Sequence, residues 1–231
     1  MTFGDYAQSS GIDSTALVIL ERMSEVITDI QSCRLKVETE YDIPVPDLGL
    51  IKHSDHADII MKGPDKLLLS MSGDKGERAY FFNGQTLTYY SFGNNRYAQM
   101  SIPGTILNLA DTIYSTFGID FYIVDFFFPD FIDDLTLNSS SLVYLGLTPV
   151  DGQLCYHIAG VMTDFTYQIW LRKDPFCLPV KVVFVYHDQE YSPQFEARYR
   201  DWEINQLFPD ALFEFSIPPH AIKSSFKPVD Q

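Results

Sequence analysis

Two short stretches of this 231-residue sequence hold side chains whose types and spacing suit catalysis or metal binding. The first contains Cys155 and His157, which lie two positions apart on a predicted strand and therefore share a face, as a nucleophile and its base would. No obvious residue supplies the orienting carboxylate or the oxyanion donors, and buried cysteines are common in protein cores. We therefore expect no catalytic residue and no enzyme activity.

The second stretch is His53-Ser54-Asp55-His56-Ala57-Asp58, which would offer metal ligands if a loop gathered its imidazoles and carboxylates. On a strand, His56 and Asp58 face away from His53 and Asp55, so the four groups do not converge. The carboxylates elsewhere are scattered and form no acid–base pair. The pattern predicts a solvated strand edge, without a bound metal or cofactor.

Residues 165–187 predict an antiparallel hairpin with one strongly apolar face. Its first strand alternates strictly between the two faces of the sheet. Four apolar side chains share one of these faces: Phe165, Tyr167, Ile169 and Leu171. Because the hairpin contains no nucleophile, metal cluster or phosphate loop, it indicates burial of apolar material.

Composition and charge exclude several classes of function. Phe and Tyr together number 32, as 18 plus 14, which is typical of β-sheet surfaces. The net charge of −15 repels phosphate backbones and excludes a nucleic-acid partner. No apolar run of about 18 residues exists, so nothing is expected to span a bilayer. An odd number of cysteines leaves at least one unpaired, and we expect free thiols at Cys33, Cys155 and Cys177.

The N-terminal stretch Met1–Ile12 lacks the basic and apolar regions of a secretion signal. The chain is therefore either cytosolic or a mature form without its leader. We expect residues 1–13 to be a flexible segment. Residues 14–231 contain no repeat, low-complexity tract or linker, so we expect them to form a single domain, and the protein to be a monomer.

Two helices are predicted from apolar residues that recur at helical spacing. The first covers residues 14–30, and Asp13 or Ser14 is placed to cap it. The second covers residues 104–117. Its apolar side is formed by Ile106, Leu109, Ala110, Ile113 and Phe117.

The rest of the chain predicts a meander of about eleven antiparallel strands, which excludes a doubly wound α/β fold. Asn83-Gly84 is the strongest hairpin turn, and Asp151-Gly152 is another. Several strands are apolar on both faces, so the helices must cover a second face and either fill the space beneath them or leave a cavity. The strands are predicted at about 33–43, 56–62, 66–72, 77–82, 86–91, 95–100, 141–149, 153–161, 165–172, 179–187 and 195–206.

Residues 119–135 are rich in both phenylalanine and aspartate and form a candidate lid over an apolar site. Phe121 and Phe127 are among the aromatic residues that such a lid would place against an acyl chain. The alternative is a turn that caps the core, with a short helix at 130–135.

Four short motifs resemble those of one family of predicted periplasmic proteins in the LolA-like superfamily. The resemblance covers about residues 14–220. The superfamily includes the lipoprotein carrier LolA, its receptor LolB and lipid-binding lipoproteins of the LppX and LprG kind. The motifs are Gly73 to Thr88, Asp151 to His157, Asp164 to Trp170 with Leu178 to Lys181, and Phe208 to Asp210 with Phe213 to Pro218.

The resemblance implies a mainly β (α+β) fold, in which an open, strongly curved antiparallel sheet forms a half-barrel whose helices cover the concave face. It also implies a periplasmic location and a non-catalytic protein that holds an acyl chain, a lipid or a lipidated protein in a hydrophobic cavity. A closed, lipocalin-like barrel is the alternative fold. An interaction domain of the cell envelope, whose own helices fill the cavity, is the alternative function.

The predicted ligand-binding residues combine the apolar hairpin face, the second helix and the candidate lid. Burial of a methylene group gains about 0.8 kcal/mol, so an acyl chain needs no polar anchor to bind. The residues are Phe165, Tyr167, Ile169, Leu171, Ile106, Leu109, Ile113, Phe121 and Phe127.

Overall fold

A computed structural model describes residues 11–117, residue 126 and residues 131–226 of the chain. These residues form three α-helices, one short 3-10 helix at Asp210–Phe213 and twelve strands. The α-helices are α1 (Ser14–Thr28), α2 (Ile106–Phe117) and α3 (Phe131–Asn138). The strands are β1 (Ser32–Val45), β2 (Gly49–Lys62), β3 (Lys66–Gly73), β4 (Arg78–Phe82), β5 (Thr86–Ser91), β6 (Arg96–Ser101), β7 (Ser141–Val150), β8 (Gln153–Val161), β9 (Phe165–Arg172), β10 (Pro179–Tyr186), β11 (Gln194–Ile204) and β12 (Ile222–Ser224).

All twelve strands belong to one unclosed sheet, in the order β12-β6-β5-β4-β3-β2-β1-β11-β10-β9-β8-β7. The hairpins from β2 to β6 and from β7 to β10 are antiparallel, whereas β12 pairs with β6 in parallel. The predicted mainly β fold class is therefore confirmed, and the closed barrel is not the fold adopted by the described strands.

The structure differs from the predicted elements in three places. Strand β2 begins at Gly49 rather than near residue 56, because a tight turn, in which the N–H of Leu48 donates to the carbonyl of Val45, allows pairing to start at once. Helix α3 corresponds to the short helix that was the alternative to a lid. Strand β12 has only three residues, all exposed, and therefore gives no periodic signal in the sequence.

Both predicted hairpin turns are present. Asp151 and Gly152 have φ angles of 47° and 78°, the left-handed pair that a two-residue hairpin turn requires. Between β4 and β5, the side-chain carbonyl of Asn83 accepts hydrogen bonds from the N–H groups of Gln85 and Thr86, at 3.1 and 2.9 Å. Gly84 has a φ of 87°, and a Cβ there would lie 2.2 Å from the carboxylate of Asp65, so glycine is required.

The chain divides into two compact units, and three strands, β1, β2 and β11, contribute residues to both. Unit 1 comprises residues 1–28, 42–51 and 129–196, and unit 2 comprises residues 29–41, 52–128 and 197–231. Unit 1 thus contains α1, α3 and β7–β10. Unit 2 contains α2, β3–β6 and β12.

In unit 1, the start of α1 is fixed to the edge strand β7. Asp13 caps the helix, because its Oδ1 accepts the N–H of Thr15 at 2.7 Å, as the sequence predicts. Its Oδ2 accepts the N–H of Tyr144, and Ile12 forms a parallel bridge with Leu142. The apolar side of α1 is then buried through Ala16, Ile19, Leu20, Met23 and Ile27.

Candidate ligand-binding site

The apolar face of β9 is packed within unit 1. Tyr167, Ile169 and Leu171 are each at most 1% exposed. The Tyr167 hydroxyl lies 2.8 Å from Oγ of Ser139, just after α3, and its ring covers Gly160, where a Cβ would approach to 2.2 Å. These side chains therefore belong to the core of unit 1 in this structure.

Phe165 is the accessible member of the predicted β9 group. It is half-buried at the start of the strand. Its ring packs edge-on against Phe184, with centroids 5.5 Å apart, and against Tyr186 at 5.8 Å.

The predicted residues of α2 lie in unit 2. A reciprocal cap starts the helix, because the side-chain oxygen of Asn108 accepts the N–H of Thr105 and the Thr105 hydroxyl accepts the N–H of Asn108. Leu109 and Ile113 are buried, whereas Ile106 is half-buried. Ile106 is thus the most accessible of the three predicted side chains.

Phe121 and Phe127, the two predicted lid residues, lie outside the described residues. Phe126, between them, is buried in unit 2 and packs edge-on against Tyr199, with ring centroids 5.5 Å apart. Phe126 lies within the candidate lid at 119–135 but is not one of the predicted ligand contacts.

One face of β2–β6 in unit 2, here named the Tyr89 face, changes from apolar to polar along the strands. This feature was not predicted from the sequence. Residues paired across neighbouring strands share a face, and they form three successive rows. The first row is almost fully buried, the second contains two half-buried tyrosines, and the third contains two arginines. The rows are Met61-Leu67-Phe82-Leu87-Met100, then Ile59-Leu69-Tyr80-Tyr89-Ala98, then Ala57-Met71-Arg78-Ser91-Arg96.

A buried ion pair joins Arg78 of the third row to Asp55, the next residue of β2 on the same face. Arg78 donates to Oδ1 of Asp55 at 3.0 Å, and the two side chains are only 10% and 7% exposed. The Tyr41 hydroxyl lies 3.5 Å from the second carboxylate oxygen. Burial raises the pKa of the neighbouring Tyr80, so its phenol stays neutral. The Tyr89 face therefore changes from apolar to charged along the direction of the strands.

The opposite face of the same strands, here named the Tyr90 face, is covered by the C-terminal segment. The ring of Phe215 lies 5.4 Å from that of Phe81 and 5.5 Å from those of Tyr90 and Tyr97. Phe213 is fully buried nearby. Both faces of β4–β6 thus bury apolar side chains.

A groove of about 370 Å³ opens on the Tyr90 face of unit 2. Its polar lining includes Lys36, Glu38, His56, Asp58, Ser70 and Ser72. Exposed ion pairs, such as Lys36 with Asp201, border it. Apolar residues, namely Val37, Ala57, Met71 and Phe92, also line the groove, and we assign it no ligand.

Cys155 and His157 have separate partners. The thiol of Cys155 lies 3.6 Å from the carbonyl oxygen of Gln153, and burial raises its pKa, whereas a nucleophilic thiolate needs a lowered one. The imidazole of His157 stacks on Trp170, with centroids 4.2 Å apart, and its Nε2 lies 3.0 Å from Oε1 of Gln168. This arrangement indicates that both side chains pack on the face of β8 and β9 that also carries Gln168, Trp170 and Arg172.

All three cysteines are free and buried, as predicted. His53 pairs with Asp74 at 2.8 Å, whereas Asp58 pairs with Arg34 and lies on the other face of β2 from Asp55. Within the ranges that the structure describes, no three His, Cys, Asp or Glu side chains gather as metal ligands would. None of the described helices is both long and apolar enough to cross a membrane.

Two solved structures share the fold over most of the chain. The lipoprotein LppX of Mycobacterium tuberculosis matches with a TM-score of 0.51 and 14% identity, over 82% of this chain and 96% of its own. LprF of Mycobacterium bovis matches with a TM-score of 0.50 and 14% identity, over 90% of this chain and 98% of its own. A LolA superfamily protein of Nitrosomonas europaea gives a TM-score of 0.36 at 14% identity, over 87% and 97%.

The fold is therefore that of LppX and LprF. Residues 16–227 match the family described as predicted periplasmic protein (DUF2092), and the chain belongs to that family. The resemblance found in the sequence is confirmed. No protein in a search of curated proteins matches the chain.

Proposed function

We propose that this protein is a non-catalytic periplasmic protein that binds an acyl chain, as part of a lipid or of a lipidated protein. The observation that carries the proposal is the apolar part of the Tyr89 face, where two tyrosines remain half-buried, while Phe215 of the C-terminal segment covers the opposite face of β4–β6. Membership in a family of predicted periplasmic proteins supports the location. The shared fold with the lipoprotein LppX supports the class of protein.

The energetics favour an acyl chain as the ligand. A chain of about 16 carbons gains roughly 12 kcal/mol on burial, from about 0.8 kcal/mol per methylene. The ordering of ligand and side chains costs several kcal/mol of this gain. Binding at micromolar concentration or tighter follows without a polar anchor.

The proposed contacts follow the accessibility of the predicted residues. In unit 2 they are the half-buried Tyr80 and Tyr89 of the Tyr89 face and, separately, Ile106 on α2. In unit 1, Phe165 is proposed as a contact within that unit alone. Tyr167, Ile169 and Leu171 remain predicted contacts for a ligand that displaces their present neighbours. The single domain over residues 14–231 also remains a proposal, to be tested by the cooperativity of unfolding.

Native mass spectrometry, with organic extraction of protein purified without detergent, tests the proposal. Aspartate at Leu109 or Ile169 would test folding rather than binding, because both side chains are buried. Ile106→Ser and Phe165→Ser are better variants, and Leu147→Ser, at a position 43% exposed on β7, is the matched control. We expect a co-purifying fatty acid or phospholipid in the wild type and the control, and its loss, with the fold intact, in the variant of the unit that holds it.

A second candidate function rests on the packing of β9. Because Tyr167, Ile169 and Leu171 are buried by unit 1 itself, a protein-interaction domain that fills its own apolar space is the alternative. A mass without lipid, together with no binding of added fatty acid, would overturn the carrier proposal and favour this alternative.

A further inference from the structure

The C-terminal segment passes around the edge of the sheet in unit 2. Phe215 lies on the Tyr90 face, against Tyr90 and Tyr97. The segment then forms β12, which pairs in parallel with β6 at the end of the sheet. Phe226 follows two residues after the end of β12. Its ring lies 6.5 Å from the ring of Tyr89, which is on the face of the sheet opposite to Tyr90.

Two independent observations place Tyr89 and Tyr90 on opposite faces of the sheet. Its backbone partners on β4 and β6 are Tyr80 and Ala98, and the rings of Tyr80 and Tyr89 lie 5.2 Å apart. The adjacent Tyr90 instead contacts Phe92 and Phe215. The segment therefore places one phenylalanine on each side of the same strands.

We infer that Phe226 is an intramolecular occupant of the acyl-chain site on the Tyr89 face, so that ligand binding and the docking of the C-terminal segment exclude each other. The inference rests on the proposed function. Phe226 is half-buried and contacts Tyr89 of the middle row, which lies next to the almost fully buried apolar row. An apolar ring there takes the place that an acyl chain would take.

The covalent link between β12 and Phe226 explains how a single ring can compete with a ligand for the Tyr89 face. β12 fixes the segment two residues from Phe226, so the ring remains near Tyr89 at a high effective concentration. The contact of Phe226 with Tyr89 is an aromatic pair near the long end of the favourable range of centroid distances, and such a pair is weak. A ligand that buries many methylene groups therefore displaces it, at the cost of a small part of the binding free energy.

The test compares the binding of a 16-carbon fatty acid to the full chain and to Phe226→Ala by isothermal titration calorimetry. Removal of the ring should tighten binding about twofold to tenfold, the range that corresponds to one aromatic pair. Phe226→Leu, which loses the aromatic pair but keeps an apolar side chain, should tighten binding less than Phe226→Ala does. Ile222→Ala, at an exposed position of the same segment, is the matched control and should leave the affinity unchanged.

A second readout follows the segment itself. Hydrogen exchange of the backbone in Ile222–Ser224 should rise when the fatty acid binds to the wild type, because Phe226 leaves Tyr89. Unchanged exchange with unchanged affinity in Phe226→Ala would overturn the inference and leave the proposed function standing. Weaker binding in Phe226→Ala would make the ring a wall of the site and would also overturn it. Absence of fatty-acid binding in the wild type and in Phe226→Ala would instead refute the proposed function.

Discussion

At the scale of single residues, burial decides what each polar group does. Asp55 and Arg78 are buried together, and each satisfies the charge of the other in a region of low dielectric constant. His157 is held between Trp170 and Gln168 on a face that is partly solvated. Strand alternation separates Asp55 from His56 and Asp58. His157 shares a face with Cys155, but its imidazole contacts Trp170 and Gln168.

Removal of one member of the buried pair should be strongly destabilising. Arg78→Met leaves the carboxylate of Asp55 buried without its partner, and we expect a loss of about 3–5 kcal/mol in the free energy of unfolding. The double variant Asp55→Asn/Arg78→Met should lose less than the sum of the single variants, as measured by urea denaturation. Lys36→Met, in an exposed pair with Asp201, serves as the control and should change stability little. If the loss of unfolding free energy in the double variant equals the sum of the losses in the single variants, the two residues are not coupled.

The stability of the protein should fall in mildly acidic solution because of His157. Burial lowers the pKa of His157 below its ordinary value of 6.5, and Lys181 lowers it further, against the hydrogen bond to Gln168. The unfolded chain then binds the proton more readily, so the free energy of unfolding falls as the pH drops below 6.5. Urea denaturation at about pH 7.5 and about pH 5.5 measures the effect.

The variant His157→Gln should lose less stability over this pH range than the wild type does. His56→Gln, at an exposed position, should show the wild-type decrease. Equal decreases in all three proteins would assign the effect to other groups.

At the scale of elements, short polar contacts decide where helices and segments begin. Asp13 connects α1 to β7 through one carboxylate, and Thr105 with Asn108 starts α2. The C-terminal segment is fixed to unit 2 by the ion pair of Lys62 with Asp210 and by the pairing of β12 with β6. These contacts order elements whose apolar pattern alone does not define their ends.

The capping role of Asp13 gives a prediction at this scale. Asp13→Ala removes acceptors for the N–H groups of Thr15 and Tyr144, and we expect a loss of about 1 kcal/mol in the free energy of unfolding. Asp13→Asn should retain most of the stability, because an amide oxygen also caps. Ser14→Ala, at an exposed position, is the control for helix propensity. A loss in Ser14→Ala equal to that in Asp13→Ala would contradict the assignment of the cap.

At the scale of the whole molecule, the net charge of −15 opposes folding through repulsion among carboxylates. Salt should therefore raise the melting temperature. Acidic residues outnumber basic ones by 31 to 16, so the screened repulsion outweighs the weakening of exposed ion pairs. Differential scanning calorimetry at about 0.01 and about 0.15 M NaCl measures the shift, since the Debye length falls from about 30 to about 8 Å between them. The shift should disappear near pH 4.5, the isoelectric point.

Much of the fold was predictable because it depends on local signals. Helical spacing identified α1 and α2. Two hairpins were identified by residue pairs that readily adopt positive φ angles, Asn83-Gly84 and Asp151-Gly152. The predicted start of β2 was wrong because the polar residues just before Asp55 resemble a loop. They belong to the strand because the tight turn at Leu48 allows pairing to begin at Gly49. β12 was missed because pairing with β6, rather than its own pattern, makes it a strand.

The sequence by itself determined the strand-rich class, the family, the two-sided apolar character of the sheet and the faces on which Phe165 and Ile106 lie, because alternation and helical spacing act within a few residues. Only the tertiary structure decided which of these side chains remain accessible. Tyr167 is buried because Gly160 admits its ring, and Tyr89 meets Phe226 because the distant C-terminal segment pairs at the sheet edge. Such contacts join residues far apart in the chain, and register and topology, rather than any local pattern, bring them together.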